Sequence, residues 1–145
     1  MTVLFSGEVT NGELVALVAA AAIEASKVVV GGLPREDAPR MCWEYVRHGT
    51  RYLEETDPNG QLPRMPWRFA ADGVGDCKSQ AIYIAAVCAA SGCSVVLRFA
   101  TLPGDTLPGH VYAVVDNLPV DPLLRYGAET PYIAALDVPV PMRIR

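Results

Sequence analysis

Cys77, His110 and Asp121 follow one another in the chain, 33 and 11 residues apart, and their side chains are those of nucleophilic acyl chemistry. A thiol is a weak nucleophile until it ionises. An imidazole takes its proton and returns it to a leaving group, and a carboxylate fixes the imidazole tautomer. Cys77 lies in GDCKSQAIYIAAVCAASG, residues 75–92, where a glycine-marked loop runs into an apolar, helix-forming stretch. Asp76 suits an N-cap, which puts Cys77 in the first turn, where unpaired N–H groups and the helix dipole favour an anion. The Cys77 N–H is then placed to serve an oxyanion. Lys78 adds a positive charge, but Asp76 is itself an anion and opposes the thiolate. The helix end therefore needs a base.

There are two histidines. His48 sits among charged residues in a helical pattern and reads as a solvated surface imidazole. His110 opens GHVYAVVD, where strand alternation puts His110, Tyr112, Val114 and Asp116 on one face. If Asp116-Asn117 forms a two-residue hairpin turn, which both residues favour, Tyr112 comes opposite Asp121. Asp121 is then diagonal to His110, roughly 7–8 Å away and within side-chain reach. Asp116 shares the face but lies about 20 Å along the strand, so Asp121 is the better orienter. A three-residue turn would reverse this parity.

These residues need elements to hold them. The chain has 145 residues, 51% of them hydrophobic and 19% charged, which suits one globular domain with its own core. Its net charge of −4, with no basic run, disfavours nucleic acid or an anionic membrane as partner. The start lacks a positive n-region, and the run LVALVAAAAIEA is broken by Glu24 and Lys27, too short and too charged to span a bilayer. A cytoplasmic protein with reduced thiols is expected.

Asn11 as N-cap and the alanine-rich run behind it predict a first helix ending before GGLP at 31–34. Residues 35–56 predict a second, weakened at Gly49 and ended by DPNG. Residues 57–75, rich in glycine and proline, read as a long irregular approach to Cys77. A third helix is predicted over 76–91, closed by Gly92. SVVLRFAT, GHVYAVVD and LPVDPLL read as strands, and the tail VPVPMRIR as at most an edge strand, its prolines removing ladder donors. Helices first and strands later give an α+β fold, with the nucleophile-bearing helix packed on a small antiparallel sheet. Trp43, Tyr45 and Tyr52 read as core aromatics. Cys88 joins Ala81 and Ile84 in a buried stripe, and Cys42 and Cys93 read as buried thiols. The C-x4-C spacing of Cys88 and Cys93 is not a zinc knuckle, and neither a metal nor a cofactor is expected.

GDCKSQA with its apolar helix, SGCSVVLRF, GHVYAVV and LPVDPLL together resemble the core motifs of the transglutaminase-like superfamily, which has a papain-like cysteine protease fold. The likeness covers about residues 40–124, and DPNGQLPRMPWRF resembles the loop before GDC in small bacterial and phage-encoded members. The resemblance implies a papain/transglutaminase-like core with Cys77, His110 and Asp121 as nucleophile, base and orienter. Papain-type proteases place a glutamine six residues before the cysteine, where this chain has Ala71. Gln61 and the Trp67 indole are the remaining candidates for a second oxyanion donor or a substrate contact; alternatively, Trp67 is a core or cleft-wall aromatic. The expected activity is cleavage of a peptide or amide bond in a protein or peptide substrate through a thioester, with hydrolysis favoured. A crosslinking transglutaminase and a catalytically idle binding or phage-assembly module are the alternatives.

Overall fold

The computed structural model describes residues 11–28, 32–54 and 63–141. In chain order they form α1 (Asn11–Val28), α2 (Ala38–Gly49), β1 (Arg51–Tyr52), α3 (Pro66–Asp72), β2 (Val74–Gly75), α4 (Cys77–Ala90), β3 (Val95–Thr101), β4 (His110–Val115), β5 (Leu118–Val120) and β6 (Ala134–Val140). Strands β5-β4-β3-β6 make one antiparallel sheet in that order, while β1 and β2 form a separate parallel pair. The class is α+β, as the change of period along the chain predicts.

The helix that starts at Cys77 is the hub. It packs against α1, α2, α3 and β4, and nearly every side chain on it is buried. A helix enclosed on all sides must be apolar all round, which is what IYIAAVCAA supplies. Its Ile82, Ile84 and Ala85 join Leu97, Phe99, Val111 and Ala113 in the main core. On the other sheet face, Ala100, Tyr112 and Val114 form a smaller cluster.

The hairpin between β4 and β5 turns on Asp116 and Asn117, both left-handed with φ of 48° and 67°. Such a two-residue turn matches the strand twist. It pairs Val115 with Leu118, Val114 with Pro119 and Ala113 with Val120. This is the register on which the placement of Asp121 beside His110 depends.

Four expectations need correction. The second helix stops at Gly49 rather than running to residue 56; Thr50 is extended, its hydroxyl donates to the Val46 carbonyl at 2.6 Å, and the chain enters β1. The approach to Cys77 is not irregular throughout, because Pro66–Asp72 is a helix. Pro66 sits in its first turn, where a missing N–H costs nothing, and left-handed Gly73 closes it. The third predicted strand is shorter than LPVDPLL: β5 ends at Val120, so Asp121 begins the loop beyond it. The last strand starts at Ala134, ahead of the expected tail, and forms the sheet edge with Pro139 inside it. Among the described residues, no helix is long and apolar enough to cross a membrane.

Candidate active site

Strand β2 delivers the chain to Cys77 under tight constraint. A β-carbon on Gly75 would lie 2.8 Å from both Phe69 Cδ1 and Ser79 Cβ, so only glycine fits between α3 and α4. The Arg51 and Leu53 N–H groups donate to the Gly73 and Gly75 carbonyls at 2.9 Å, tying the approach to the segment after α2. Asp76 then caps α4: its Oδ1 accepts from the Lys78 N–H at 3.0 Å and the Ser79 N–H at 3.4 Å. The Cys77 N–H takes no part in that cap.

The charge on Asp76 does not stand alone. Lys78, itself buried, folds back so that its Nζ donates to Asp76 Oδ2. An ammonium held there compensates the carboxylate that would otherwise oppose a thiolate at Cys77. Its burial is what the sequence does not show, since a lysine in a first helical turn normally points to water.

His110 opens β4 with its ring largely buried, and its Nε2 lies 2.6 Å from Asp121 Oδ2. The other Asp121 oxygen accepts from the Leu123 N–H at 3.1 Å, so the carboxylate is held at both ends. The Cys77 thiol is near enough to the imidazole to favour its charged form. Burial is the largest single influence on His110 and disfavours its charge. The hydrogen bonds and negative charge offered by Asp121 and Cys77 outweigh it, raising the pKa from 6.5 to about 10. A protonated imidazole is the counter-charge that a thiolate needs.

Two further sets of residues hold this arrangement. From α2, the Trp43 indole N–H donates to the Leu124 carbonyl at 2.9 Å, and Arg47 donates to the Pro122 and Leu124 carbonyls at 2.8 and 3.0 Å. These bonds pin the loop that carries Asp121. Behind His110, the Tyr112 ring lies 5.4 Å away between centroids. The Tyr112 hydroxyl donates to Glu129, which also receives Arg98 at 2.7 Å, and Arg98 grips Asp137 through two bonds of 2.8 and 2.9 Å. The i, i+4 spacing of Trp43 and Arg47 was the available sign that one helix face reaches a shared target.

The structure thus joins Cys77, His110 and Asp121. Trp67 is exposed on α3, which rules out the core alternative, and it does not line the cleft beside His110. Gln61 lies outside the described residues. His48 is exposed, as expected; Trp43 is buried, Tyr52 half-buried and Tyr45 exposed rather than core. All four cysteines are free and buried. The neighbouring Cys42 and Cys93 thiols, with burial, push the Cys88 pKa up, whereas Cys88 is the main influence lowering that of Cys93.

A cleft of about 220 Å³ opens beside His110 and Asp121, walled by Leu102, Leu123, Leu124 and Thr130. Comparison of the chain with protein-family models, with curated proteins and with solved structures yields no match.

Proposed function

We propose that this protein is a cysteine-dependent acyl-transfer enzyme, built on a papain/transglutaminase-like core, that cleaves a peptide or amide bond through a thioester on Cys77. The observation that carries the reading is the buried imidazole of His110, held 2.6 Å from Asp121 and kept in its charged form by Asp121 and Cys77 together. In this mechanism the Cys77 sulfur attacks the carbonyl carbon, and the oxyanion is met by the Cys77 N–H at the start of α4. His110 gives its proton to the departing amine as the C–N bond breaks. Water, deprotonated by His110, then attacks the thioester and frees Cys77. Asp121 keeps the imidazole oriented throughout.

Hydrolysis of a protein or peptide substrate is the favoured outcome, and transfer to an amine is the second. The test is thiol selectivity. Iodoacetamide at neutral pH, followed by peptide mass mapping, should label Cys77 well before Cys42, Cys88 and Cys93. In His110→Ala the Cys77 rate should fall at least tenfold. Labelling of Cys77 no faster than a model thiol would remove the basis for catalysis and leave a binding module.

A further inference from the structure

His110 is tied to Asp121 through one ring atom, Nε2, at 2.6 Å. A single hydrogen bond fixes a point on the imidazole but lets the ring tilt about it, and directed proton transfer needs the plane fixed as well. Strand β4 supplies a neighbour for that plane. Alternation puts Tyr112 on the face of His110. The two rings lie 5.4 Å apart between centroids and 36° apart in plane, within the range of aromatic contact. Tyr112 is buried, so the imidazole cannot tilt towards it unless the phenol ring moves.

The phenol ring is itself anchored by a row of residues across the sheet. The register places Tyr112 opposite Arg98 on β3 and Arg98 opposite Asp137 on β6, and opposed side chains share a face. Glu129, from the segment between β5 and β6, closes the row. Its Oε2 accepts from the Tyr112 hydroxyl and from Arg98 Nη1, the latter at 2.7 Å. Arg98 is held in turn by Asp137, at 2.8 Å through Nε and 2.9 Å through Nη2. A buried tyrosine hydroxyl needs only one acceptor. Here the acceptor is fixed by an arginine, and the arginine by a second carboxylate at the sheet edge, so the ring is held against tilt.

We infer that Tyr112 is a positioning residue for His110: anchored through Glu129 and Arg98 to Asp137, its ring sets the plane in which the imidazole takes and returns protons. The inference rests on the thioester reading and adds a residue to it. The step it serves most is hydrolysis of the acyl-enzyme. There a water oxygen bonds to the thioester carbonyl carbon, His110 takes the water proton and passes it to the sulfur, and the C–S bond breaks, leaving a carboxylic acid and the Cys77 thiol. Alkylation of Cys77 needs a thiolate but no directed proton transfer, so the two reactions separate the plane of His110 from its charge. That charge is governed by Asp121 and Cys77; the Asp76–Lys78 pair flanks Cys77 on α4, and Glu129 and Arg98 stand behind Tyr112.

The experiment compares wild type with Tyr112→Phe, Glu129→Ala and Glu129→Gln. It measures the rate at which Cys77 acetylated by p-nitrophenyl acetate loses its acetyl group, the rate of Cys77 alkylation by iodoacetamide, and the NMR titration midpoint of His110. Tyr112→Phe keeps the ring but frees it from Glu129, and Glu129→Ala removes the acceptor from a half-buried position, so both should fold. Each should slow deacetylation at least tenfold, while alkylation stays within twofold of wild type and the midpoint stays far above neutrality. Glu129→Gln keeps an oxygen for the hydroxyl and should recover to within threefold of wild type. Deacetylation unchanged in Tyr112→Phe and Glu129→Ala, or slowed as much by Glu129→Gln as by Glu129→Ala, overturns the positioning role while Cys77 acetylation still stands. A midpoint that falls towards the ordinary 6.5, or alkylation and deacetylation slowed in parallel, means that the row acts by holding Asp121 or the fold, and overturns it too. Absence of acetylation at Cys77 in wild type overturns the thioester reading and the inference with it.

Discussion

His110 must hold a proton while almost wholly enclosed, and it does so because its partners outweigh the cost of burial. The ordinary imidazole pKa of 6.5 rises to about 10. An NMR titration should therefore place the His110 midpoint far above neutrality, and Asp121→Asn should bring it down. The same shift ties stability to pH. The proton is retained in the folded chain up to about pH 10 but leaves near 6.5 once unfolded, so the stabilisation is complete below about 6.5 and is lost as pH rises towards 10. Chemical denaturation across that window should show wild type weakening as pH rises, with a shallower slope in Asp121→Asn. Acylation of Cys77 in Asp121→Asn should slow by roughly 10²- to 10⁴-fold, the usual range for a positioned acid–base group. An imidazole midpoint near 6.5 in wild type would mean that Asp121 and Cys77 do not govern it.

At the scale of elements, the start of α4 is fixed by the close fit of β2 between α3 and α4. Gly75→Ala sets a methyl 2.8 Å from Phe69 and Ser79 carbons, so one of the packed partners must move, at a cost of about 1–3 kcal/mol. Thermal unfolding monitored by circular dichroism should show a melting temperature lower by several degrees, at about 2–4 °C per kcal/mol for a chain of this size. An unchanged melting temperature would show that the approach to Cys77 is not tightly packed. The parts of this scaffold that were legible in sequence have short-range causes. Asp76 before an apolar run marks the cap of α4, and Asp116-Asn117 marks a turn whose two residues tolerate positive φ, so the register that carries Asp121 to His110 follows by parity. The parts that were not legible depend on tertiary contact. Pro66 and Gly73 bracket α3 as cap signals but read as loop in a stretch crowded with such residues. The end of the second helix at Gly49 is set by pairing of β1 with β2, which lies 23 residues further on. The burial of Lys78 against Asp76 requires the enclosed end of α4, and the anchoring of the Asp121 loop by Trp43 and Arg47 requires α2 to sit beside it.

For the molecule as a whole, one buried helix links the other elements: α1, α2 and α3 pack on it, the sheet lies against it, and its N-terminus carries the thiol. This arrangement commits core packing and the candidate site to the same element, so Cys77 is held where His110 and Asp121 meet it. A binding module on the same scaffold would have no need for a buried imidazole bonded to a carboxylate and kept charged beside a thiol. The most direct measurement is formation of the covalent intermediate. Wild-type protein incubated with p-nitrophenyl acetate and quenched in acid should gain a single acetyl group by intact mass, mapped to Cys77 and released by hydroxylamine as a thioester is. His110→Ala should acquire it at least a hundredfold more slowly, and Cys77→Ala should not acquire it there at all. Wild type that takes no acetyl on Cys77, or takes it no faster than His110→Ala, would contradict the account.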